Sequence, residues 1–193
     1  MNNKVRKMVG IGLFTAIVVV LQLLGGGIRF GVFSISLVLI PIVVGAAVYG
    51  WFAGAWLGFS FGMAVLLSGD AGAFMAVDPL ATVLVVLVKG TLCGLCTGAI
   101  YTVVARRSRV IAVILAAIAC PVVNTGIFSI GCLCFFMETI KSWGLGSGYT
   151  SGIAYLFLGM IGLNFVVELA VNFVLSPMII RLIDLVVKKK ISR

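Results

Sequence analysis

The sequence predicts an all-α integral membrane protein: a single transmembrane domain over residues 1–193, folded as a bundle of about six helices with both termini cytoplasmic. Three observations predict it. Of the 193 residues, 63% are hydrophobic and 10% charged, with a mean hydropathy of +1.31; soluble domains carry about 45–50% apolar and about 25% charged residues. The apolar residues fall into runs that suit bilayer crossings, each needing roughly 20 residues. The basic residues collect at alternate ends of those runs. Six crossings use about 120 residues, and the remainder makes tails and loops but no soluble domain.

The first span covers residues 8–24 and follows the basic start Lys4-Val5-Arg6-Lys7. Its apolar run is too long for a secretory leader and lacks a small-residue cleavage site. Gly25-Gly26-Gly27-Ile28-Arg29-Phe30-Gly31 follows as a flexible outside loop, because consecutive glycines do not hold a helix. A second span over 33–49 contains Pro41, expected to kink or break it, and turns at Gly50-Trp51 into a third over 52–67. Ser68 to Pro79 carries two acids and two glycines and reads as an outside loop, in which Asp78 caps a helix starting at Pro79. The fourth span, 79–104, closes at Arg106-Arg107-Ser108-Arg109, and the fifth, 110–135, contains Pro121, a second helix-perturbing proline. Glu138 to Tyr149 makes the longest loop. The last span, 151–187, is long enough to tilt or break near Pro177 before Lys188-Lys189-Lys190.

The net charge of +9 comes from 14 Lys+Arg against 5 Asp+Glu. On this map Lys4, Arg6, Lys7, Arg106, Arg107, Arg109, Arg181, Lys188, Lys189, Lys190 and Arg193 are cytoplasmic, Arg29 and Lys141 are outside, and Lys89 alone lies within a span. That bias is the positive-inside pattern, and it argues against a nucleic-acid surface. There is no His, which removes the usual general base and the commonest metal ligand. No phosphate-binding glycine loop is present, and an ATPase domain would need on the order of 100 further residues. The five cysteines, Cys93, Cys96, Cys120, Cys132 and Cys134, sit in apolar runs and read as buried free thiols. No enzyme activity, cofactor or metal is therefore expected.

A charge at membrane depth is costly and must face a partner or a wet cavity. Lys89 and Glu168 qualify. A rise of about 1.5 Å per residue places Lys89 roughly 15 Å below the outer start of its span and Glu168 slightly deeper, so the two can meet. Asn164, Glu168 and Asn172 recur every fourth residue and share one helix face. Asn124 and Thr125, next to Pro121, sit at a comparable depth on the neighbouring helix. These residues outline a pocket between the fourth, fifth and sixth spans. Arg29, with Phe30 and Phe33 nearby, is placed to close over it and pair with an anionic ligand group. Trp143, Tyr149 and Tyr155 are candidates to stack on a planar ring or to anchor at the membrane surface. The plainer reading of the polar residues is interhelical hydrogen bonding and a structural ion pair.

Small residues form a second signal. Gly54, Gly58 and Gly62 repeat every fourth residue in the third span, and Gly12 with Ala16 repeats the spacing in the first. Such strips permit close helix contact, inside the bundle or with another subunit. Gly90, Gly94 and Gly98 make a third strip, read as internal packing.

The basic start before Gly12-Leu-Phe-Thr-Ala16, the short glycine-containing loop, and the hairpin from Ile40-Pro41 through Gly45, Gly50, Gly54 and Gly58 together resemble the substrate-binding S component of an energy-coupling factor (ECF) vitamin transporter. The resemblance covers essentially the whole chain. It implies a six-helix protein of a bacterial cell membrane that captures a vitamin or related small polar micronutrient near the outer face. It also implies docking onto a transmembrane coupling subunit driven by two cytosolic ATPase subunits. Carried onto this chain, Arg29, Lys89, Asn124, Asn164, Glu168 and Asn172 become substrate-binding candidates, and Gly12, Ala16, Gly54, Gly58 and Gly62 docking candidates. Two other classes remain open. One is a stand-alone oligomeric transporter or channel joined through the glycine strips. The other is a membrane enzyme, which would need Glu168 beside Asp70 or Asp78, acids that the map sets well away from it.

Overall fold

The structure is a computed structural model and describes residues 3–25, 29–30, 33–34 and 37–191. In chain order these form α1 (Asn3–Gly25), an antiparallel pair β1 (Arg29–Phe30) and β2 (Phe33–Ser34), α2 (Leu39–Tyr49), α3 (Trp51–Ser68), α4 (Gly72–Met75), α5 (Pro79–Val104), α6 (Arg109–Phe135), α7 (Met137–Gly146) and α8 (Gly152–Ala154). A π-helical segment, Tyr155–Gly162, then leads into α9 (Leu163–Val174) and α10 (Ser176–Ile191). Among the described residues, five stretches are long and apolar enough to cross a membrane: Lys4–Gly25, Trp51–Ser68, Pro79–Val104, Arg109–Phe135 and Gly152–Val174. Their outward surfaces are apolar, with Leu80, Leu67 and Met8 each largely exposed, as suits a multi-pass protein in lipid.

Local chemistry sets the helix starts. Asp78, extended at φ −145°, accepts a hydrogen bond from the Ala81 amide at 3.0 Å, with Pro79 in the first turn, so α5 begins where the sequence placed it. Ser108 and Ser151 cap α6 and α8 in the same way. Gly50, at φ +92°, makes the tight reversal between α2 and α3 that a side chain would strain.

Several expectations are corrected. The second span does not start as a helix at residue 33: the chain pairs Arg29 with Ser34 and Phe30 with Phe33 across a short hairpin, and α2 begins only at Leu39. Pro41 lies in the first turn of α2, where its missing amide proton costs nothing, so it helps start the helix instead of kinking it. Pro121, buried in α6, leaves that helix unbroken from Arg109 to Phe135. The segment after Phe135 is not a loop but α7, held by Phe136 and Ile140, both buried against Leu156. The final span divides at Leu175, just before Pro177, and α10 packs on α2 and α6 through the buried Ile179 and Ile183.

The centre of the bundle is the crossing of α3 and α5. Gly54 and Gly58 face Gly94 and Gly90, and a Cβ added at Gly58 would run into the Gly90 carbonyl oxygen. One at Gly62 would lie 2.9 Å from the Val86 carbonyl oxygen. These glycines bring two helix backbones into contact, as small-residue strips do in membranes. Gly54, Gly58 and Gly62 are buried by α5, so their expected role in docking another subunit is corrected: no open surface remains there. Gly12 differs, since nothing lies within 4 Å of the position its Cβ would take, and Ala16 on the same face is exposed.

Candidate functional site

A cavity of about 260 Å³ opens inside the bundle, walled by α1, α3, α5, α6 and α9. Lys89 from α5 and Glu168 from α9 both line it, with Asn124 and Thr125 from α6 and Asn164 from α9. Lys89 lies over the Phe128 ring at 5.1 Å and the Phe61 ring at 6.0 Å, which supports its charge away from bulk water. Glu168 and Asp70 bring two carboxylates to the cavity that Lys89 lines. The cation and the anion thus share one hollow although they come from helices far apart in sequence.

The two carboxamides are the most informative groups. Asn124 is 7% exposed, and among the described residues its Oδ1 has no hydrogen-bond partner. An orphaned acceptor of this kind costs about 1–3 kcal/mol unless something fills it. Asn164, four residues before Glu168, presents its side chain to the same space. Donors and acceptors aimed at an apolar-walled hollow are the usual make-up of a small-molecule site.

Asn172, expected on the same polar face, does not line the cavity. One further turn, about 6 Å along the helix, carries it below the floor, where it is fully buried and its Nδ2 donates to the Glu168 carbonyl oxygen at 2.9 Å. Ser176 Oγ donates in turn to the Asn172 carbonyl oxygen at 2.9 Å. Among the described residues the Asn172 Oδ1, like that of Asn124, has no hydrogen-bond partner. Arg29 belongs to β1, whose partner strand β2 packs against α9; its side chain lies outside the described residues.

Sequence reasoning missed Gln22 and Asp70. Gly69, at φ +80°, ends α3 in the left-handed conformation and turns Asp70 back into the cavity wall, where Gln22 Nε2 donates to its carboxylate. Asp70 was expected well away from Glu168, and that separation is corrected: the two line one cavity. Gln22, a carboxamide inside the apolar run of α1, was the available signal. The aromatic wall, Phe61, Phe74, Phe128 and Phe136 among others, carries no periodic signature.

Long apolar helices around a solute-sized, partly polar hollow define a multi-pass membrane protein with an internal cavity. Residues 6–180 match the family described as ECF transporter, substrate-specific component, and the chain belongs to that family. Nothing among the curated proteins or the solved structures matches it.

Proposed function

We propose that the protein captures a small polar, vitamin-like micronutrient in this cavity and hands it on through a transmembrane coupling subunit and two cytosolic ATPase subunits. The observation that carries the reading is the meeting of Lys89, Glu168, Asn124 and Asn164 around one void, in a chain of the ECF substrate-specific family. In this reading Lys89 and Glu168 hold complementary ligand groups, the two carboxamides read its donors and acceptors, and Arg29 pairs with an anionic group at the outer rim. A volume near 260 Å³ favours a ligand of one or two rings.

The chain crosses the membrane six times, with α2 as the short second pass and both termini in the cytoplasm, as the segregation of basic residues supports. Docking uses the open strip of Gly12 and Ala16 on α1, a helix of which only 11% is buried. A face of small residues lets a second helix approach closely.

A membrane enzyme is the second reading, because Asp70 and Glu168 share the cavity. Asp70 accepts from Gln22 Nε2, a contact that ties its carboxylate to α1 and commits one of its oxygens. Reconstitution decides between the classes. Uptake of a labelled solute into proteoliposomes should require both this chain and the ATP-driven coupling complex. Uptake by this chain alone would support a stand-alone transporter and refute the proposal.

A further inference from the structure

A second hollow lies beside the first. It measures about 550 Å³ and is bounded by α4, α7, the loop after α7 and the π-helical segment. Phe74 and Met160 line both hollows, so the two stand side by side with those residues between them. Among the described residues, no charged side chain lines the second one.

Its walls are two edge-to-face aromatic pairs. Phe74 and Trp143 have ring centroids 5.5 Å apart at 72°, and Tyr149 and Tyr155 stand 5.3 Å apart at 62°. Four rings converge on this one half-open space, more than anchoring at a membrane surface asks of them. Among the described residues, no protein acceptor takes the Trp143 indole N–H or either tyrosine hydroxyl, so three polar hydrogens remain for an incoming group. Gly159 keeps the space open: a Cβ there would lie 2.8 Å from the Tyr155 ring and 3.2 Å from the Tyr149 hydroxyl. A π-helical stretch of this length is uncommon, and such segments recur at functional sites.

We propose that this outer hollow is a binding site in its own right, for a flat, uncharged ring whose edge carries hydrogen-bond acceptors. The rings supply stacking faces, and the indole and phenol hydrogens meet carbonyl or ring-nitrogen acceptors. Only its place in series with the inner cavity, as a first stop for the ligand, rests on the proposed function; binding itself does not.

The test uses the full chain in lipid nanodiscs with Trp51→Phe and Trp56→Phe, which leaves Trp143 as the sole indole. The probe is caffeine, which is flat, uncharged, rich in acceptors and freely water-soluble. Caffeine should quench Trp143 fluorescence saturably in the millimolar range. Gly159→Leu, which fills the hollow, should weaken that binding by about tenfold or more, and Tyr155→Ala should weaken it independently. Lys89→Ala should leave it unchanged, because Lys89 lines only the inner cavity. Quenching that rises linearly and equally in Gly159→Leu would overturn the proposal. So would indifference to caffeine combined with quenching by bromine-labelled acyl chains, which would make the hollow a lipid groove. If the inner cavity binds nothing at all, the saturable quench should persist, so failure of the functional reading and failure of this one are separable.

Discussion

Replacing Gly58 by alanine tests the central packing of the bundle and the reassignment of its glycine strip. The new methyl group meets the carbonyl oxygen and carbon of Gly90 and lies 3.3 Å from the Gly94 amide nitrogen, all backbone atoms that cannot rotate away. Relief requires α3 and α5 to separate along their whole crossing. Overpacking of this kind costs about 1–3 kcal/mol, and the higher helix propensity of alanine offsets roughly 1 kcal/mol. Because the clashing atoms are backbone, the cost falls in the upper part of that range, about 2–3 kcal/mol, and the net destabilisation is about 1–2 kcal/mol. Gly12→Ala meets no atom within 4 Å and gains only the propensity contribution. The two variants should therefore differ by roughly 2–3 kcal/mol in opposite directions from the parent. Thermal unfolding in detergent, followed by circular dichroism, reads the difference; for a chain of this size 1 kcal/mol moves Tm by about 2–4 °C. Gly58→Ala as stable as the parent, or Gly12→Ala the weaker of the two, would refute the reasoning and return Gly54, Gly58 and Gly62 to an open face.

Lys89→Ala and Glu168→Ala should each weaken ligand binding at least tenfold while the protein still inserts, as measured by isothermal titration with the transported solute. Asn124→Leu should lose binding yet melt as high as the parent or higher, because it removes an orphaned acceptor. Asn172→Leu, below the cavity floor, should leave affinity within a few-fold of the parent in the same titration. Asp78→Ala removes the cap of α5 and should lower stability by about 1 kcal/mol without changing affinity, a split that melting and titration together would show. Gly12→Leu should spare solute binding and stability but abolish uptake with the coupling complex.

What was legible in the sequence is what hydropathy and capping chemistry encode locally. Residues 79–104 and the Asp78 cap are observed as read, because an acid before a proline at the head of a long apolar run leaves few alternatives. Lys89 and Glu168 stood out because ionised groups in hydrocarbon demand an explanation. The glycine strip of α3 misled because a row of small residues looks the same whether its partner is an internal helix or another protein. The matching strip on α5, Gly90 and Gly94, was the clue to the internal pairing. Asp70 and Gln22 joined the site through the reversal at Gly69, a tertiary event that no local pattern reports. The outer aromatic hollow depends on α7 and the π-helical segment folding together, and hydropathy reads neither.

The central claim is that Lys89, Glu168, Asn124 and Asn164 surround a ligand. Native mass spectrometry of the intact protein released from its membrane tests this most directly. The account requires one small organic molecule bound per chain in the parent, absent from the Lys89→Ala/Glu168→Ala double variant. A parent that carries no such molecule after expression in medium rich in micronutrients, or a double variant that retains it undiminished, would contradict the claim.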